Sequence, residues 1–157
     1  MLRLLGVCLL VGSGVGGAIF FCGRATGRLS QVEGFLSLVR LIRLQVECFA
    51  MPLSSILARV DEKLLRQCGY GGRLPVEDLS ALLDGCRIED REAEEILRAF
   101  GEEFGRGYRE EQVRGCEYTQ SLLEERRLAL AQRLPIQKKL YSTLCLSGAI
   151  ALVILFL

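Results

Sequence analysis

The chain has 157 residues, half of them hydrophobic, and its 20 basic and 19 acidic residues leave a net charge of +1. That balance argues against a nucleic-acid-binding module, which carries a basic excess on one face, and the absence of histidine rules out Ser-His and Cys-His nucleophile pairs within the chain. The seven cysteines, Cys8, Cys22, Cys48, Cys68, Cys86, Cys116 and Cys145, stand 14 to 30 residues apart with no CxxC pair, so they read as reduced structural thiols and neither a metal nor a cofactor is expected.

In chain order, the first element is apolar. Between Arg3 and Arg24 there is no charge, which predicts a membrane-spanning helix over 1–23. Gly12, Gly14 and Gly17 match a GxGxxG pattern, but no βαβ context surrounds them, and a nucleotide site is not supported. Gly12, Ser13, Gly16 and Gly17 instead predict a small-residue face for close packing against another membrane helix.

The segment 24–139 reads as one helical domain, with 19 basic residues against 19 acidic ones. From Val32, the residues Phe35, Val39, Ile42, Val46 and Phe49 recur at helical spacing, and Leu38 and Leu41 widen the stripe, as in a central helix of a bundle. Pro52 marks the next boundary. A second helix is predicted with Leu53, Ile56, Leu57, Val60 and Leu64, broken at Gly69. A short third helix opens at Pro75 with Glu77 and Asp78 in its first turn, packs with Val76, Leu79, Leu82 and Leu83, and is capped by Gly85. The fourth covers about 89–104, with Ala93, Ile96, Leu97, Phe100 and Phe104 inward.

A long last helix begins near Arg109. Its inward line includes Val113, Cys116, Leu123, Leu130 and Leu134, while Glu124, Glu125, Arg126 and Arg127 read as a solvated face or rim. Pro135 is expected to kink it. Residues 140–157 carry no charge and predict a second membrane span. Because Arg24, Arg28, Arg133, Lys138 and Lys139 flank the spans on their inner sides, the domain 24–139 is expected to be cytoplasmic and both termini to lie across the membrane. The fold class is therefore all-α: a small cytoplasmic bundle of about five helices flanked by two transmembrane helices.

No enzyme is indicated. The carboxylate pairs Glu94-Glu95, Glu102-Glu103, Glu110-Glu111 and Glu124-Glu125 have the look of solvated helix faces, and no small-molecule substrate is implied. A membrane-anchored regulator or adaptor that binds a cytosolic protein, or anionic lipid through Arg24, Arg28, Arg40 and Arg43, is the alternative reading.

Four motifs occur in a telling order: Met51-Pro52-Leu53, then Gly101-Glu102-Glu103-Phe104-Gly105, then Arg109-Glu110-Glu111-Gln112, then Leu140-Tyr141-Ser142-Thr143-Leu144. Set between two apolar ends, this plan resembles the stage III sporulation protein AB family. The chain departs from the family pattern at Gly107-Tyr108 and in a short 61–90 region, for which five soluble helices are expected in place of six. The resemblance implies a bundle similar to the platform protein of type II secretion and type IV pilus systems, in the mother-cell membrane facing the forespore. It also implies three kinds of partner: the membrane, a secretion-type ATPase (stage III sporulation protein AA), and small membrane proteins of the same operon. Homo-oligomerisation is left open. For the docking surface, Gly101, Gly105, Arg109, Glu110 and Gln112 are the candidates. Their competing role is helix capping by Glu110 and Gln112, with Arg109 paired to Glu102 or Glu103.

Overall fold

The computed structural model describes residues 2–49, 51–72, 75, 76, 78–105 and 107–156, and the side chains of all of these but 2–15, 18, 19, 21, 22, 137, 138, 142, 145, 146, 149, 150 and 152–156. Among the described residues there are six helices: α1 Leu2–Phe49, α2 Leu53–Leu57, α3 Glu62–Gln67, α4 Leu79–Gly85, α5 Arg91–Glu103 and α6 Arg109–Phe156. Strands are absent among these residues, and a single isolated antiparallel bridge joins Tyr70 to Cys86. The protein is all-α.

Contacts divide the chain into two compact units, 28–129 and the paired ends 1–27 with 130–157. In the unit 28–129, α1 and α6 run antiparallel, since Glu33 pairs with Arg127, Arg40 with Glu124 and Arg43 with Glu117, while Arg109 donates to the Glu47 carbonyl. Between them, α1 supplies the core with Val32, Phe35, Leu36, Leu38, Val39, Ile42 and Val46. Leu36 and Leu38 point about 200° apart around the helix axis, so both sides of α1 are covered, as a central helix requires. Each such side chain contributes roughly 1.5–3 kcal/mol on leaving water. Facing them are Ile56, Leu65, Cys68, Leu82, Leu97, Phe100 and Leu123, all buried.

Several boundaries differ from the sequence expectation. The predicted second helix is two, α2 and α3, because the chain turns at Val60 and Asp61 caps the new start by accepting from the Lys63 amide at 3.1 Å. Two short helices, α3 and α4, therefore fall in the 61–90 region that was expected to have lost one, giving six helices where five were expected. Helix α4 begins after Pro75, at Leu79, since the Asp78 carboxylate accepts from the Leu79 amide at 2.7 Å and so forms its cap. Gly85 closes α4 from inside the helix, with Cys86 as the residue that follows. Phe49 is 67% exposed although it continues the apolar stripe of α1, and it is the last residue of that helix.

At the chain ends, α1 continues through Gly23 and Gly27, and α6 continues through Pro135. Among the described residues no helix is long and apolar enough to cross a membrane. The expected spans, 1–23 and 140–157, fall largely on residues whose side chains lie outside those described.

Candidate functional site

The turn from α5 into α6 gathers most of the residues singled out from the sequence. Helix α5 ends at Glu103, and Gly105 follows with φ +90°, a left-handed conformation that a side chain disfavours. Open space surrounds the position of a Gly105 Cβ, so its glycine serves the turn and not a close approach. Gly101 does the opposite. It lies inside α5 with the Leu83 Cδ1 of α4 at 3.1 Å from where its Cβ would stand, so it lets those two helices meet.

The start of α6 is capped, but by a residue the sequence reading passed over. Glu111 reaches back to accept from the Tyr108 amide at 3.0 Å, and Gln112 donates to the Gly107 carbonyl at 2.9 Å. Glu111 thus supplies the carboxylate half of a capping box, with Tyr108 at the N-cap. Glu110 is exposed and takes no part in it. Arg109 donates to the main-chain carbonyl of Glu47 at the end of α1, where the sequence suggested Glu102 or Glu103.

Two clefts border this start. One, between α5 and α6, has a volume of about 260 Å³ and is walled by Ile96, Phe100, Phe104 and Leu122, with Gln112 and Glu111 at its edge. The other, wider and more polar, about 830 Å³, is lined by Glu47, Tyr108, Arg109, Glu110 and Arg114. Arg109, Glu110 and Gln112 therefore share one end of the bundle, while Gly101 borders a separate shallow cleft beside Asp84 and Arg98.

A second polar constellation was missed in the sequence. Arg126, expected on a solvated face, has a side chain only 13% exposed and grips the Asp90 carboxylate with two hydrogen bonds of 2.8 Å, plus Glu92 at 2.6 Å. Asp90 also caps α5 by accepting from the Ala93 amide at 3.0 Å. Burial raises the Asp90 pKa, but the hydrogen bonds from Arg126 and Ala93 and the charges of Arg126 and Arg28 outweigh it, and the net position is below the usual carboxylate range. Nearby, Gln31 is 7% exposed and ties α1 to two loops, donating to the carbonyls of Cys68 and Arg87 and accepting from the Glu89 amide. No spacing in the sequence marks the long-range contacts of Gln31 and Asp90, which reach across 36 to 58 residues.

The remaining candidates are placed as follows. Gly16 and Gly17 have nothing described within 4 Å of a Cβ, and the side chain of Ser13 and the surroundings of Gly12 lie outside the described residues. Of the four arginines considered for lipid, Arg28, Arg40 and Arg43 each face a carboxylate, and Arg24 stands over the Phe20 ring at 5.9 Å. Burial pushes the Cys86 and Cys116 thiols up to about 12 and the Cys68 thiol higher, so these are not poised for thiolate chemistry. Among the described residues no three acidic or cysteine side chains gather as a metal site would require.

No curated protein and no solved structure matches the chain. Residues 83–157 match the family model described as Stage III sporulation protein AB (spore_III_AB), a stretch that contains the α5–α6 turn, both flanking clefts' α6 walls and three of the four motifs above. Over that stretch, just under half of its length, the chain is similar to the stage III sporulation protein AB family.

Proposed function

We propose that the protein is a non-enzymatic platform component of the sporulation-specific, secretion-like complex, held in the mother-cell membrane by residues 1–23 and 140–157. Its helical unit faces the cytoplasm and docks a secretion-type ATPase, stage III sporulation protein AA, through the end of the bundle where α6 begins. The observation that carries this is the family match over 83–157, which includes the exposed Tyr108, Arg109 and Glu110 beside their cleft. Exposed aromatic and arginine side chains are the residue types that dominate protein interfaces, and Tyr108 is 84% exposed. The lipid-binding alternative draws less support, since three of its four arginines each face a carboxylate of the chain itself.

The test is binding of the purified ATPase to the full chain in lipid nanodiscs. Tyr108→Ala and Arg109→Glu are expected to weaken binding at least tenfold with an unchanged helical circular-dichroism spectrum. No measurable binding by the wild-type chain refutes the docking role.

A further inference from the structure

The cleft between α5 and α6 differs from the rest of the bundle surface in its charge. Nine glutamates, Glu33, Glu47, Glu62, Glu89, Glu92, Glu94, Glu95, Glu117 and Glu124, each meet an arginine. Among the described residues Glu102, Glu103, Glu110, Glu111 and Glu125 are in no such pair, and the first four lie at the end of α5 or the start of α6. Glu103 and Glu111 line the apolar cleft itself, and no basic residue does among the described residues. Its walls are Ile96, Phe100, Phe104 and Leu122, and Tyr118, 67% exposed, stands at the rim.

The cleft's size limits what it can hold. At about 260 Å³ it falls below the ~300–1,000 Å³ typical of small-molecule sites, but it suits the one or two large side chains by which a protein segment anchors itself. We propose that it seats a segment of a partner protein that presents such an apolar anchor with Lys or Arg within one helical turn. The apolar side chain fills the space over Phe100 and Leu122, and the basic group meets the Glu103 carboxylate at the rim, beside the capping carboxylate of Glu111. Complementary charge of this kind selects the partner and speeds its approach. The site deepens the docking reading above, which names the ATPase as the first partner to examine, but its chemistry is fixed by the cleft alone.

The test places a photo-crosslinking amino acid at Ala99, an exposed position in the cleft, within the full chain in sporulating cells. The adduct is identified by peptide mass spectrometry, and purified ATPase is then tried with the chain in nanodiscs. The expected adduct is a partner segment with a large apolar residue within four positions of a Lys or Arg, and Glu103→Lys should reduce its yield at least fivefold. Glu103 is exposed and makes no pair, so its reversal leaves the core intact; Ala99→Trp, which fills the cleft, should compete in the same way. An adduct only with lipid or with another copy of this chain, a segment without basic residues, or no adduct overturns the proposal. An adduct of the right chemistry on a protein other than the ATPase upholds it and counts against the docking reading. ATPase binding with no adduct at Ala99 does the reverse.

Discussion

Asp90 holds two structural jobs in one carboxylate: it caps α5 and it neutralises Arg126 in a nearly dry setting. Removing the cation alone leaves a buried charge without its partner, which costs more than the pair contributes. Arg126→Met is therefore expected to destabilise the fold by on the order of 3 kcal/mol in urea denaturation, against at most ~1 kcal/mol for Arg91→Met, whose pair with Glu95 is exposed. The pH dependence has a definite sign. With its folded pKa lowered, Asp90 supplies stability that is present above its unfolded value near ~3.9 and lost as pH falls through the folded one. Wild-type stability should thus drop on acidification below about pH 4, more steeply than that of Asp90→Asn, and parallel curves would disprove the assignment. This residue pair was illegible in the sequence because Arg126 sits in a run of alternating charge, and such runs are ordinarily solvated. Only the fold brings Asp90, 36 residues earlier, behind it.

Among the elements, helix existence could be read and helix ends could not. The stripe of Val32, Phe35, Val39 and Ile42 is buried as its spacing required, and α5 runs close to its expected bounds with Ala93, Leu97 and Phe100 inward. The break between α2 and α3 was hidden because Val60 and Leu64 continue the apolar period across it, while the Asp61 cap that makes the break is a single residue with no special spacing. The docking candidates were partly legible for a related reason. Turn glycines and a charged helix start are visible in any sequence, but which glutamate folds back as the cap depends on the turn's path, and here it is Glu111. The two turn glycines give a contrast at this scale. Gly105→Ala forces a side chain into φ +90° and is expected to cost roughly 1–2 kcal/mol, although space is open there. Gly101→Ala sits in a helix, where alanine is favoured by about 1 kcal/mol, and its 3.1 Å contact is the mobile tip of Leu83, so the net change should be near zero. Chemical denaturation of both variants decides it; an equal loss at the two positions would refute the distinction.

For the whole molecule, the two apolar ends carry the localisation proposed above, and cysteine chemistry offers a direct test of its sidedness. Cys48 is exposed in the helical unit, whereas Cys68 and Cys116 are buried. In intact cells a membrane-impermeant maleimide should leave Cys48 unmodified, and after permeabilisation Cys48 should react first. Labelling of Cys48 before permeabilisation would put the unit on the wrong side of the bilayer. All-α architecture was legible from periodicity and from the absence of strand patterns, since both depend on local sequence alone. The pairing of α1 with α6 was not, because opposite charges such as Arg43 and Glu117 declare their partnership only once the chain has folded back across 74 residues.

That antiparallel pairing also makes the helical unit a detachable cassette. Glu33 and Arg127 lie 3.7 Å apart, so the chain enters and leaves residues 28–129 at neighbouring points. A short Gly/Ser bridge from 129 back to 28, with new termini cut at the exposed Gly71-Gly72 loop, should yield a circular permutant that keeps the same interior, because every buried contact of the unit survives the rewiring.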